Sequence, residues 1–339
     1  MNKVFSDKIT RINFILIVMI VMLHSNCLRF LEEYSTFTYV LYRMLYVLCD
    51  AAVPTFFLIS AYLFYRNYTN GKIKEKYLSR LHSLVIPYFI WSIVFLIYYT
   101  FINKIPVVSM YFDNNFDLST NNILNNILMA NCAEGMWFIR CLIVYVIVSP
   151  LIYNVFKFNK IINYIIIFSL IIMNIFFKIN YSNPLFWLPL YLIGSSIGIL
   201  CKNIGVNERI FKNSKKTAII LMLAFLIIIY LLIDVDNTSI KYYLYRIISP
   251  FFVIYIFDSI SNIKQIRDIE KYSFLIFCLH LPLLKVVRKL QFIIVGYNQY
   301  ISFVVYIVTI IATISLIYIF GKLLNKHFPN AYKVISGSR

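Results

Sequence analysis

The chain has 339 residues, of which 61% are hydrophobic and 14% charged. Soluble domains carry about 25% charged residues, so this composition cannot build a water-facing surface but can build a lipid-facing one. The formal charge of +18 would suggest nucleic acid in a soluble protein. In a membrane protein it reflects Lys and Arg gathered in cytoplasmic loops, and no nucleic-acid partner is expected.

The apolar residues fall in blocks close to the ~20 residues that a helix needs to cross the hydrocarbon core. Ten candidate spans run roughly over 12–30, 39–65, 83–102, 136–156, 161–177, 185–201, 217–233, 242–260, 272–290 and 299–321. The first follows Lys3, Lys8 and Arg11, exceeds a signal-peptide core and has no small-x-small site after it. It is expected to remain as a transmembrane helix. The second is too long for a straight span, and Pro54 predicts a break or kink within it. The fifth and seventh are nearly pure Ile, Leu and Phe and are expected to face lipid. Polar stretches are short, so residues 1–339 are read as a single all-α domain, a polytopic transmembrane helix bundle. The longest outer segment, 103–135, carries Asp113, Asp117 and Glu134; it either caps a substrate site or simply connects two spans. The six cysteines form no C-x-x-C pair and read as small core residues, with no metal site.

Loop charge orients the bundle. With the N-terminus in the cytoplasm, 22 of the 32 Lys and Arg residues fall inside and 6 outside, and the other four lie within or at the edge of spans. This bias predicts cytoplasmic N- and C-termini and an even number of spans. The exception is Lys285, Arg288 and Lys289, near the end of the ninth span.

Ionisable groups inside a span are expensive, about 2.5–3.5 kcal/mol at its centre, so they are the first candidates for chemistry. They are His24, Arg43, Asp50, Arg140, Arg246 and His280. His24 lies thirteen residues beyond Arg11, or ~20 Å along the helix. Imidazole is the cheapest ionisable group to bury and a good base near neutral pH. Either His24 serves chemistry or it bonds a neighbouring helix. For His280, in the segment Phe274–Leu284, packing is the favoured reading. Asp50 needs a partner, and Arg43 on the same helix is too far away. Arg140 or Arg246 from another span would supply one, as a structural ion pair or as part of a site.

These residues sit in an ordered set of motifs. Val21-Met22-Leu23-His24-Ser25 ends the first span, and Val53-Pro54-Thr55-Phe56-Phe57-Leu58-Ile59-Ser60-Ala61-Tyr62-Leu63 lies in the second. Arg80 precedes Leu84-Val85-Ile86-Pro87-Tyr88 and Trp91, and Met136-Trp137-Phe138-Ile139-Arg140 is followed by Pro150. Tyr191-Leu192-Ile193-Gly194 and Tyr272-Ser273-Phe274-Leu275-Ile276-Phe277-Cys278-Leu279-His280-Leu281-Pro282 complete the set. In this order, over most of the chain, they resemble the acyltransferase-3 family of membrane acyltransferases, which includes O-acetyltransferases of bacterial surface polysaccharides.

Three positions depart from the family pattern. The family places an Arg eleven residues before its first-helix His, where this chain has Asn13. Eleven helical steps end about 20° past three full turns, so Asn13 and His24 share a face and are expected to line one cavity. Arg11 is about 220° from His24, nearly opposite, and reaches the site only by bending its long side chain around the helix end. Ala61 replaces the usual glycine, and Ser83 stands where a second basic residue is common.

The resemblance implies transfer of an acetyl group from acetyl-CoA, on the cytoplasmic side of the cell membrane, to a hydroxyl of a cell-envelope glycan or its lipid-linked precursor. It implies His24, Asn13 and Arg11 as the catalytic set, with His24 a general base or a covalent carrier. It implies Asp50, Ser60, Tyr62, Arg80, Trp137, Arg140, Arg246 and His280 as substrate-binding residues. Tyr62, Trp137 and Arg140 would line the acceptor or the thioester. CoA phosphates would meet Arg66, Lys72, Lys74, Lys76 and Arg80 in one loop and Lys212, Lys215 and Lys216 in another, although inside-positive bias explains both loops equally well. The competing reading is an exporter of polysaccharide or lipid-linked sugar without acyl transfer. No inverted repeat supports it.

Overall fold

The computed structural model describes residues 3–26, 31, 33–102, 120–131, 133, 135–158, 160–200, 215–260, 266–296 and 298–337. Among them there are helices and no strand. Helix α1 spans Lys3–Ser25. It is followed by α2, Thr36–Asp50, whose N-terminus is capped by the Ser35 hydroxyl accepting from the Thr38 N–H. Helix α3, Ala52–Tyr65, follows after a single residue. The break expected at Pro54 therefore falls three residues earlier, at Ala51. Pro54 sits in the first turn of α3, where the missing N–H would have no helical partner anyway.

Two further interruptions have the same cause. Helix α4, Ile73–Arg80, runs through a π-helical turn, Leu81–Val85, into α5, Ile86–Ile102. Pro87 has no N–H for the Ser83 carbonyl, and the wider turn absorbs the mismatch. After α6, Thr120–Met129, helix α7, Trp137–Ile147, bends by 59° into α8, Ser149–Phe158. Pro150 lies just beyond that bend. The remaining helices are α9, Lys160–Phe177, α10, Pro184–Leu200, α11, Lys215–Leu231, α12, Ile240–Ile260, α13, Ser273–Val295, α14, Gln299–His327, and α15, Pro329–Ile335. A 3-10 turn, Asp268–Tyr272, leads into α13.

Each of the ten apolar segments contains one of these helices or a bent pair. Five helical stretches are long and apolar enough to cross a membrane: Phe5–Ser25, Thr36–Tyr65, Ile73–Phe101, Ile240–Ser259 and Gln299–His327. The bent pair α7–α8 adds a sixth when taken as one span, and Ile161–Phe177, Pro184–Leu200 and Lys216–Leu231 are apolar but shorter. The protein is an all-α membrane bundle. Large apolar side chains point outward along α9 and α11, among them Ile165, Phe168, Ile220 and Ile227, as expected of lipid-facing helices.

The centre of the bundle is the α3–α10 pair. A Cβ at Gly194 would strike the Leu58 carbonyl oxygen, and one at Gly198 would lie 2.8 Å from the Tyr62 carbonyl oxygen. The two glycines, four residues apart, let the helix backbones touch. Ala61 faces Gly194, so the methyl group that replaces the family glycine is accommodated by the glycine opposite. Three ion pairs with little exposure join distant segments: Lys8–Asp258 at 2.8 Å, Arg11–Glu270 at 3.0 Å and Arg246–Asp50 at 2.8 Å. Cys49, Cys141 and Cys278 are buried. Cys27, Cys132, Cys201, Asp113, Asp117, Glu134 and Lys212 lie outside the described residues.

Candidate active site

Two cavities open along α1. His24, in its last turn, is exposed to the larger, of about 1240 Å³. This outer cavity is closed by α2, the start of α7, the α9–α10 loop and the turn before α12. One wall is aromatic. Trp187 stacks on Trp137 at 6.1 Å and on Phe57 at 5.2 Å, and Tyr181 meets Trp137 edge-on at 5.1 Å. Asn174 is buried and donates to Tyr243 Oη at 3.0 Å, fixing a second part of the wall.

The floor is charged. Arg246 donates to Asp50 at 2.8 Å and to the Asn237 carbonyl at 3.1 Å, and its guanidinium lies 4.8 Å over the Tyr242 ring. Of the two partners the sequence offered for Asp50, the fold selects Arg246. Arg43 turns away to the Ile233 carbonyl at 2.7 Å. At the mouth, the backbone N–H and hydroxyl of Thr238 hold the Asp236 carboxyl below the usual carboxylate range, so it stays anionic near neutral pH. Polar groups and flat aromatic faces together suit a hydroxylated, ring-shaped ligand.

The smaller cavity, of about 700 Å³, lies beside the N-terminal half of α1 and is lined by Asn13, Ser60, Arg80 and Glu270 among others. Its deep end is apolar, with Phe56, Phe138, Ile139, Leu142 and Phe277. Its mouth carries Arg80 and Lys271 against Asp268 and Glu270. Hydrogen bonds from Lys271 and Tyr318 hold Asp268 below the usual carboxylate range. Glu270, 4% exposed, is neutralised by Arg11. Arg80 also lines the cavity, its guanidinium 5.5 Å over the Phe64 ring.

The wall between the cavities is thin. Consecutive residues of α7 face different cavities, Trp137 the outer and Phe138 the inner; on α3, Val53 faces the outer and Phe56 the inner. At this wall the rings of His24 and His280 are 5.4 Å apart. His280 is 2% exposed, and its Nδ1 is 2.7 Å from the Phe277 carbonyl. Phe277 itself lines the inner cavity.

A family model described as an acyltransferase domain matches residues 9–322. The chain belongs to the acyltransferase-3 family. No curated protein and no solved structure matches it. Membership makes this protein a membrane acyltransferase.

Of the residues the family resemblance singled out, the structure brings His24, Asp50, Trp137 and Arg246 to the outer cavity. It brings Asn13, Ser60 and Arg80 to the inner one. His280, for which packing was the favoured reading beside the substrate-binding role that the resemblance implies, lies against His24. Asn13 and His24 were expected in one cavity. They share a face, but eleven residues span about 16 Å, and each lines a different cavity. Arg11 lines neither cavity, because its guanidinium is spent on Glu270. Tyr62 also lines neither and packs edge-on against Phe5 at 6.5 Å. Arg140 lies outside both, donating to the carbonyls of Met129 at 2.9 Å and Ser182 at 3.2 Å; it braces the loop beneath the outer cavity.

Three contributors were not singled out in the sequence. Asn174 is a polar residue in a run of Ile and Phe, which in lipid would be costly and so signals an inward face. Trp187 follows two residues after the start of an apolar run and carried no signal of its own. Glu270 is one of only 14 acidic residues, three positions before a motif helix, and that scarcity was its signal.

Proposed function

We propose that the protein transfers an acetyl group from acetyl-CoA on the cytoplasmic side of the cell membrane to a hydroxyl of a cell-envelope glycan or its lipid-linked precursor. The observation that carries this reading is the pair of cavities along α1, the larger lined by His24 and the smaller by Phe277, with His280 between these two residues. Ten spans with both termini in the cytoplasm, the arrangement favoured by loop charge, would open the inner cavity to acyl-CoA and the outer one to the acceptor. The basic α4 segment, with Arg80 at the cavity edge, offers cations to CoA phosphates. The apolar channel suits the pantetheine arm, and the Trp137–Trp187 wall suits a sugar face.

In this mechanism His24 takes the proton from the acceptor hydroxyl as its oxygen attacks the thioester carbonyl. The carbon–sulfur bond breaks, and the CoA thiolate leaves and takes the proton back from His24. The products are the acyl ester and free CoA thiol. Such general-base help is worth about 10²–10⁴ in rate. Mass analysis of surface glycan from cells with and without the protein tests the reading. Loss of a 42-dalton class of acyl increment, about one acetyl ester per modified residue, is the expected result. Glycan that is unmodified in both, but fails to reach the surface without the protein, would favour export instead.

A further inference from the structure

We propose that His280 is the positioning residue for His24: its Nε2 accepts a hydrogen bond from a ring N–H of His24 and so fixes which nitrogen of His24 faces the acceptor hydroxyl. This rests on the reading of His24 as the base. The argument begins with the Phe277 carbonyl, 2.7 Å from His280 Nδ1. A carbonyl oxygen can only accept, so Nδ1 carries the proton. In the neutral ring Nε2 is then an acceptor. The ring is locked as well as polarised. It is 2% exposed, sits inside α13 between Phe277 and Pro282, and has Phe277 packed on it at 6.1 Å.

The neighbour at the wall is His24, with ring centroids 5.4 Å apart and planes tilted by 44°. At that separation a turn of the His24 ring about its side-chain bonds brings one of its nitrogens toward His280 Nε2. His24 is the more exposed partner. It lies in the last turn of α1 and is exposed to the outer cavity. A base exposed at a helix end needs an anchor, because an imidazole that presents its N–H to the hydroxyl cannot take the proton. An acceptor fixed behind it imposes the productive tautomer. When His24 takes the acceptor proton, its positive charge is shared with His280 Nε2 through the same hydrogen bond. When His24 returns the proton to the CoA sulfur, the pair is back in its starting state. His280 is chemically unchanged, and no other reactant is needed.

The test uses inside-out membrane vesicles containing the full chain, radiolabelled acetyl-CoA, and the label recovered in the glycan and lipid-linked glycan fraction. His280→Asn keeps an amide N–H for the Phe277 carbonyl and removes the acceptor aimed at His24. His280→Gln serves as the conservative variant, because its amide oxygen near the Nε2 position still accepts from His24. The expected result is a maximal rate lower by about 10²-fold or more in His280→Asn, with about tenfold or more of that loss recovered in His280→Gln and the half-saturating acetyl-CoA concentration within about twofold of wild type in both. The double variant with His24→Ala should be no slower than His24→Ala alone, because the two act as a unit. A His280→Asn rate within about threefold of wild type, or a double variant slower than His24→Ala by the full single effect, overturns the proposal. If wild-type vesicles transfer no label, the acyl-transfer reading itself fails, an outcome separate from active variants in an active background.

Discussion

Asn13 and His24 lie on one face of α1, and each opens on a different cavity. On the proposed reading the helix works as a bridge, with the donor cavity at one end and the base at the other, and the position where the family carries an arginine belongs to the donor cavity.

This gives Asn13→Arg a direction. The new cation would enter a polar stretch of the inner cavity beside Thr10 and Glu270. The variant should insert normally and lower the half-saturating acetyl-CoA concentration by up to about tenfold, or about 1.4 kcal/mol. Rates measured across acetyl-CoA concentrations at fixed acceptor check it. An unchanged donor dependence would remove Asn13 from the donor route.

His24→Ala should abolish label transfer while the protein still accumulates in the membrane. The side chain faces a cavity, so its removal leaves packing intact. Transfer above about one-tenth of the wild-type rate would exclude the base role.

Arg11 has a structural task. Removing one partner of a buried ion pair leaves the other charged and unpaired, typically at a cost of about 3–5 kcal/mol. Arg11→Gln should lower the thermal stability of the detergent-purified protein, and Arg11→Lys should recover most of it. Adding Glu270→Gln to Arg11→Gln should also recover stability, since the stranded carboxylate is gone. If Arg11→Gln melts like wild type but binds acetyl-CoA more weakly, Arg11 contacts phosphate directly.

Gly194→Ala should be disproportionately damaging. The added methyl meets backbone, which cannot rotate away as a side chain can. Overpacking of this kind typically costs about 1–3 kcal/mol. It would also push α10, which carries Trp187, away from α3, which carries Phe57, and so disturb the acceptor wall. Thermal unfolding and transfer rate should fall together. A Gly71→Ala control, where nothing lies within 4 Å, should change neither.

Topology is open to reporter fusions. Fusions at Lys76 and after residue 337 should read cytoplasmic, and one near Asn115 should read external. An external C-terminus would reject the even span count.

The helical frame was legible because long apolar runs have few solutions in a bilayer. Pro54, Pro87 and Pro150 marked three irregularities, but a proline tolerates the first turn after a break, so the break at Ala51 came earlier than expected. His24, Asp50 and Arg246 stood out as charges or imidazoles in apolar surroundings, and all three reach a cavity; Arg80, noted for its motif and its basic loop, reaches the other. The partition into two cavities was not legible. Helical phase places Asn13 and His24 on one side, yet only tertiary packing gathers Asn13 with Phe56, Phe138 and Phe277 around one cavity and His24 with Trp137 and Trp187 around another. Tyr62 and Arg140 failed for a related reason. Motif position fixes an address on a helix, while the neighbour across the gap decides whether that address faces a cavity, Phe5 or a backbone carbonyl.

The aromatic wall has an electrical consequence. A membrane protein hollowed from both ends risks becoming a conduit for ions and protons, and each elementary charge crossing 100 mV releases about 2.3 kcal/mol. Side chains such as Phe56, Phe138, Phe277 and Trp137 offer a leaking proton nothing to hop along. On the proposed reading the acyl group handed across at His24 is uncharged and carries no current. The bundle would then pass a chemical group through its middle while the membrane stays charged, and small residues cut into that wall should betray themselves as a drop in membrane potential before any loss of fold.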